Sequence, residues 1–317
     1  MQISEKPIRL HCVLQALKHL IFKLTLTKHN TKGRTIMPHS GEVRFADSVH
    51  EAAAMIAADP GLIPLAGATW TMRAGLRHEA LPERYLALTR IAALREIAIN
   101  DSDISIGAMA THAQIAGALV GDASLRGLSM AAAISANPGI RRLATLGGNI
   151  CAAGFAAGDL VPALLALDAS VEIMRDGQAQ ILPLAAFLRM TSAQSLLVRA
   201  VIPHAPGTGA HARLTMRAAG DYPIAIASVW MSDDAQTLRI AIGAVEDAPR
   251  RWTALEQVLT GEQPDAARTE ALAKTHLRGI TGRDAVDAKG AYRLRVLPHL
   301  VGRAMADLAA QQAGSAA

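Results

Sequence analysis

The stretch from Ile140 to Asp168 constrains this chain more than any other. It opens Ile-Arg-Arg-Leu-Ala-Thr-Leu-Gly-Gly-Asn-Ile and closes Gly-Asp-Leu-Val-Pro-Ala-Leu-Leu-Ala-Leu-Asp, with small residues between. Gly147 and Gly148 have no Cβ, so the backbone there is free to take positive φ and to let a bulky anion reach main-chain N–H groups. Thr145 and Asn149 flank the pair with side chains able to donate to phosphate oxygens. A second small-residue turn, Ala66-Gly67-Ala68-Thr69, follows the apolar run Leu62-Ile63-Pro64-Leu65. Two such turns suit a diphosphate held between them, although a glycine pair on its own reads equally as a plain tight turn. Neither turn carries a P-loop lysine, and no G-x-G-x-x-G opens a helix after a strand.

Charge narrows the partners. The net charge of +5 is concentrated in residues 1–36, where Lys6, Arg9, Lys18, Lys23, Lys28, Lys32 and Arg34 face a single acid, Glu5. The rest of the chain is close to neutral, and only 3% of residues are aromatic, so a basic or ring-lined nucleic-acid surface is not expected. Two cysteines, Cys12 and Cys151, are too few for a disulfide framework or for the four thiolates of an iron–sulfur cluster. Cys151 is expected to be a buried, inert thiol. No histidine pattern suits a metal, and no apolar run approaches the ~18 residues of a membrane span. A cytoplasmic setting follows most simply.

Taken in order, residues 1–36 place Leu10, Val13, Leu14, Leu17, Leu20, Ile21 and Leu24 at helical spacing. The segment reads as a basic extension outside the fold, with a membrane- or partner-bound amphipathic helix as the alternative. Ser48 and Glu51 form a capping box for a helix over 49–58, which Pro60-Gly61 ends. Strands are expected over 62–65 and 85–88, a hairpin over 97–107, and helices over 111–120 and 125–135. Beyond Asp168 the pattern turns to β at 171–174, 181–182 and 196–202, with a turn at Asp176-Gly177. Pro203, Pro206, Gly207 and Gly209 read as a linker. Strands near 213–217, 224–231 and 238–245 follow, then helices near 250–259, 266–277 and 291–310.

An ordered series of motifs makes the chain recognisable. Ala66-Gly67-Ala68-Thr69-Trp70 and Thr145-Leu146-Gly147-Gly148-Asn149 are joined by Ile106-Gly107-Ala108, Thr111-His112, Arg141 and Asp159-Leu160-Val161-Pro162. Leu167-Asp168-Ala169, Arg217, Gly220-Asp221-Tyr222 and Ala291-Tyr292-Arg293 continue it. From about Met37 to Leu308 the chain resembles the FAD-binding medium subunit of the molybdenum hydroxylases, the xanthine dehydrogenase and carbon monoxide dehydrogenase family.

The resemblance implies an α+β architecture: a two-part FAD-binding fold of the vanillyl-alcohol-oxidase type, followed by a carboxy-terminal domain of antiparallel sheet and helices. The implied boundaries are 37–205 for the FAD-binding domain, divided near residue 90, and 210–311 for the last domain. It also implies that Ala66, Gly67, Ala68, Thr69, Thr145, Gly147, Gly148 and Asn149 grip the FAD diphosphate, and that Asp159 reaches polar groups of the cofactor. Asp159 also reads as a cap for the helix that follows. No catalytic side chain and no metal ligand are named. Molybdopterin and the [2Fe–2S] clusters are expected on a large and a small partner subunit, in a hetero-oligomer that passes electrons to NAD+ or another acceptor. A stand-alone flavin reductase and a scaffold without FAD are the alternatives. Three departures stand out. Ala68 replaces the second glycine of the first turn, Trp70 replaces an aspartate and brings a bulky ring near the cofactor, and Thr215 or Met216 fills a position often basic.

Overall fold

In the computed structural model, residues 41–190, 194–216 and 221–315 are described, and the fold lies in the unit Val43–Ala317. The basic segment 1–36, Cys12, Arg217 and Gly220 lie outside the described residues. Three sheets organise the molecule. The first has the order β1 (Glu42–Phe45), β3 (Arg84–Ala87), β2 (Leu62–Leu65), with β2 parallel to β3. Helix Val49–Ala58 packs beside it and starts as its sequence requires, with the Ser48 hydroxyl accepting from the Glu51 N–H. Glu51 in turn accepts from the N–H of Asp47 rather than that of Ser48.

The second sheet is antiparallel, in the order β4 (Ile97–Ile99), β5 (Asp103–Gly107), β8 (Leu196–Pro203), β6 (Ser170–Arg175), β7 (Gln178–Pro183). Its alternate residues Ile104, Ile106, Val171, Ile173, Ala200 and Ile202 are buried with helices Arg126–Ile134 and Leu160–Ala166 in one core. Period-two alternation in the sequence is the direct cause.

The third sheet is also antiparallel: β12 (Arg250–Arg251), β11 (Leu238–Gly243), β10 (Pro223–Ser232), β9 (Gly207–Thr215). Nearly all of β10 is buried, because both of its faces are covered. Ala225, Ala227, Val229 and Met231 enter the core with Leu297, Leu300, Val301 and Met305 of helix Gly290–Ser315, while Trp230 enters the core of the second sheet. The third sheet is therefore wedged between the last helix and the preceding part of the molecule.

Two sequence expectations are corrected here. Gly207 and Gly209 do not belong to a linker but to the buried strand β9. A Cβ on Gly207 would lie 2.5 Å from the Trp230 ring, and one on Gly209 would lie 2.8 Å from the Ser124 carbonyl oxygen. These glycines serve close packing, not chain flexibility. The helix expected from Arg250 begins only at Thr253, since Arg250 and Arg251 pair with Ile242 and Ala241.

Candidate functional site

The first turn leaves the sheet at β2, which is an edge strand among the described residues. Among the described residues, the N–H groups of Ala66, Gly67, Ala68 and Thr69 find no acceptor in the protein. Ala68 holds φ at +60, the left-handed region. Gly67 is placed by proximity instead: a Cβ there would stand 1.8 Å from the Leu143 carbonyl oxygen and 3.2 Å from Ala144 Cα. The first turn thus rests directly on the backbone that leads into the second.

The second turn is helical rather than left-handed. Residues Leu146–Cys151 form a short helix with Thr145 as its cap, and neither Gly147 nor Gly148 has positive φ. Its amides are spent internally. Leu146 N–H donates to the Ala110 carbonyl (2.9 Å), Gly147 N–H to Ala108 (2.8 Å) and Asn149 N–H to Thr145 (3.0 Å), while Gly148 N–H donates to Thr145 Oγ1 (3.1 Å). Gly147 has to be small because a Cβ would sit 2.9 Å from the Ala108 carbonyl oxygen. Gly148 differs, since a Cβ there would meet only Thr145 Oγ1 at 3.1 Å. Asn149 is buried, its Oδ1 accepts from the Leu160 N–H at 3.2 Å, and Gly158 lies against its amide. The expected row of free donors therefore exists, but on the first turn and not the second.

Asp159 occupies the cap position of helix Leu160–Ala166 without making a capping bond. Its carboxylate, 2% exposed, lies instead between the Arg213 guanidinium and the His211 imidazole: Oδ1 is 3.2 Å from Arg213 Nε and 3.4 Å from His211 Nε2. His211 and Arg213 alternate on β9 and so share a face. His211 Nδ1 pairs with Ser228 Oγ at 2.8 Å; Arg213 donates to the carbonyls of Ile134 and Asp221. These two residues border a cavity of about 460 Å³ that Met130, Ile134, Asp221 and Arg303 also line. Nothing in the sequence reading singled them out. Thr215 and Met216 are indeed not basic, yet Arg213, in the same strand as Thr215, supplies a cation to this face. Its partner Asp159 is far away in sequence, so only the period-two spacing of His211 and Arg213 could have flagged it.

His112 connects the second turn to this charge cluster. Its N–H donates to the Ala144 carbonyl at 2.9 Å, its Nδ1 pairs with Ser135 Oγ at 2.7 Å, and its Nε2 has no partner. Burial pulls the imidazole down to about 4, against the opposing pull of the Asp159 charge. It is neutral at pH 7 and plays the structural part expected of it. Cys151 departs from expectation only in part: the residue is exposed at the end of its helix, but burial pushes its thiol up to about 12, which leaves it the inert thiol expected. Trp70, beside the first turn, donates from Nε1 to the Ala153 carbonyl at 3.1 Å and packs its ring at a tilt against Phe155.

Comparison with known proteins gives two family matches in tandem. Residues 40–205 match the model described as the FAD binding domain in molybdopterin dehydrogenase, and residues 210–308 match the CO dehydrogenase flavoprotein C-terminal domain. The 6-hydroxypseudooxynicotine dehydrogenase complex subunit alpha of Paenarthrobacter nicotinovorans is 29% identical over 281 residues, covering 85% of this chain and 94% of the relative. The xanthine dehydrogenase FAD-binding subunit of Escherichia coli O157:H7 is 26% identical over the same length, with 85% and 96% covered. Among solved structures, a carbon monoxide dehydrogenase from Hydrogenophaga pseudoflava lacking the Mo-pyranopterin moiety aligns with a TM-score of 0.77 at 25% identity. A Cu,Mo-CO dehydrogenase aligns at 0.76 and 26%. Each alignment covers 86% of this chain and 98% of the other.

Proposed function

Since the chain belongs to the FAD-binding subunits of the molybdenum hydroxylase family, we propose that it relays electrons from [2Fe–2S] clusters on a small partner subunit to NAD+ or another acceptor. The substrate would be oxidised on a large molybdopterin-binding subunit of the same hetero-oligomer, in a cytoplasmic setting. The cysteine supply of this chain supports clusters housed elsewhere.

The observation that carries the reading is the contact of Gly67 with Leu143 and Ala144, next to four backbone N–H groups with no acceptor. A cluster of oriented amides is a ready anion site. We assign the diphosphate of FAD to the N–H groups of Ala66, Gly67, Ala68 and Thr69. The Thr145 hydroxyl, the open side of Gly148 and the Asn149 side chain border it, with Gly147 packed behind. Asp159 then lies between this end and the cavity. His112, bonded to Ala144, feels the Asp159 charge, and Asp159 pairs with Arg213, which lines the cavity. A volume of about 460 Å³ is within the usual range for a small-molecule site, and we assign the flavin ring to it.

When bound, the flavin supplies the redox chemistry, taking up electrons and passing them on. The chain's own residues bind and orient it. Arg213 and Arg303 bring positive charge to a cavity wall that Asp221 and Asp307 share, Asp159 fixes Arg213 and His211, and Met130 and Ile134 add apolar surface. The reading without FAD rests on Ala68 and Trp70, and the left-handed alanine costs about 1–2 kcal/mol. That is small beside the contacts a dinucleotide makes, so it weakens binding rather than abolishing it. Chain purified from a host that supplies FAD should carry stoichiometric flavin, reducible by the substrate of the complex only when its iron–sulfur and molybdopterin partners copurify. Colourless protein with an intact fold would exclude the role, and flavin-dependent turnover of a diffusible organic substrate without partners would favour a stand-alone reductase.

A further inference from the structure

Aromatic residues are scarce in this chain, four Phe, three Trp and three Tyr, yet one of each meets at a single point. Trp70, Phe155 and Tyr222 form a closed triangle. Ring centroids are 4.5 Å apart for Trp70 and Phe155, 5.5 Å for Phe155 and Tyr222, and 6.0 Å for Trp70 and Tyr222. The two contacts to Tyr222 are edge-on, at 78° and 73°, a favoured geometry for ring pairs.

Each ring comes from a different part of the molecule. Trp70 directly follows Thr69, and its own N–H, like those of Ala66–Thr69, finds no acceptor among the described residues. Phe155 lies in the loop after helix Leu146–Cys151, where it packs on the buried cluster of Ala157, Ile226 and Ala244. Tyr222 immediately precedes β10. Two arginines of the 3-10 segment Thr71–Arg77 complete the arrangement. Arg77 lies over the Trp70 ring, 3.9 Å from its centroid, and donates to the Trp70 carbonyl, while Arg73 donates to the Tyr222 hydroxyl at 2.9 Å. Tyr222 and Arg73 remain exposed, so the triangle is not part of a core.

We propose that this triangle is a latch: Trp70 fixes the exit of the first turn to Phe155 and Tyr222, and so slows release of the dinucleotide held by that turn. The inference rests on the flavin reading above. Its physical basis is that the residues offering N–H groups are tethered on one side by β2 and on the other by Trp70. Loosening the turn on the Trp70 side separates three segments at once. Trp70 is a positioning residue here, because it acts through the backbone of Ala66–Thr69.

The test uses the full-length FAD-loaded chain, with dissociation followed by the fluorescence of freed FAD and association by its quenching. Trp70→Ala is expected to raise the dissociation rate about tenfold while association changes by no more than about twofold. Tyr222→Ala should act alike, and the double variant should be no worse than either single one, because the two rings work as one unit. Trp70→Phe keeps a ring in place and should restore most of the slow release. It also covers the case in which the alanine variant fails to fold. If the alanine variants melt earlier as apoprotein yet release FAD at the wild-type rate, the rings are structural glue and the latch is overturned. Additive effects of the two substitutions would overturn it too. Wild-type chain that takes up no FAD removes the flavoprotein reading itself, and the latch with it.

Discussion

The two small-residue turns look alike in sequence and do opposite work. Ala66–Thr69 leaves its amides unpaired and tolerates a left-handed alanine at Ala68. Thr145–Asn149 spends its amides on Ala108 and Thr145 and uses its first glycine only to fit against Ala108. Among the described residues, one turn leaves its amides without acceptors; the other spends its own and lies against the first. Glycine content alone does not separate these roles, because a missing Cβ serves both backbone freedom and close approach.

The sharpest break should come at the contact between them. Gly67→Ala puts a Cβ 1.8 Å from a backbone oxygen, so the turns have to part. Loss of stability of about 3 kcal/mol and loss of flavin are expected, read by urea unfolding and visible absorption. Gly148→Asp attacks the second turn from its open side. Its Cβ meets only the Thr145 hydroxyl, so the melting curve should stay near wild type while a carboxylate beside the phosphates weakens FAD binding by several kcal/mol. Equal FAD affinity in that variant would remove the second turn from the site.

Acid should act on the rigid turn through His112. Its folded value of about 4 lies below the ordinary 6.5, so below pH 6.5 the unfolded chain takes a proton that the native chain refuses. Stability is then complete above pH 6.5 and falls as pH drops toward 4, by a total on the order of 3 kcal/mol from this group. His112→Gln should flatten that part of the profile in urea titrations at pH 7 and pH 5. The smallest change is Ala68→Gly, which removes the left-handed penalty and should raise stability by about 1 kcal/mol without loss of flavin. Destabilisation there would mean that the Ala68 methyl makes a contact worth more than its strain.

Much of the fold was legible because local signals agreed with one another. Ser48 and Glu51 announced a helix, and the alternation through Ile104, Ile106, Val171 and Ile173 announced a half-buried sheet. The nearness of the two turns was legible: the motifs pointed to both, and Gly67 does meet the backbone leading into the second. What escaped was whatever depends on distant partners. Asp159 read as a cofactor contact and a helix cap; that its carboxylate lies against Arg213 and His211 on a strand of the third sheet was not visible. Gly207 and Gly209 looked like linker residues because the ring and carbonyl they accommodate, on Trp230 and Ser124, are remote in sequence.

The central claim is that the unspent amides of the first turn bind phosphate. Equilibrium binding of FAD beside riboflavin, which has the same ring and no phosphate, tests it most directly. FAD should bind at least about a hundredfold more tightly, and the gap should close in Gly148→Asp. Equal affinity for the two flavins in the wild-type chain would contradict the account.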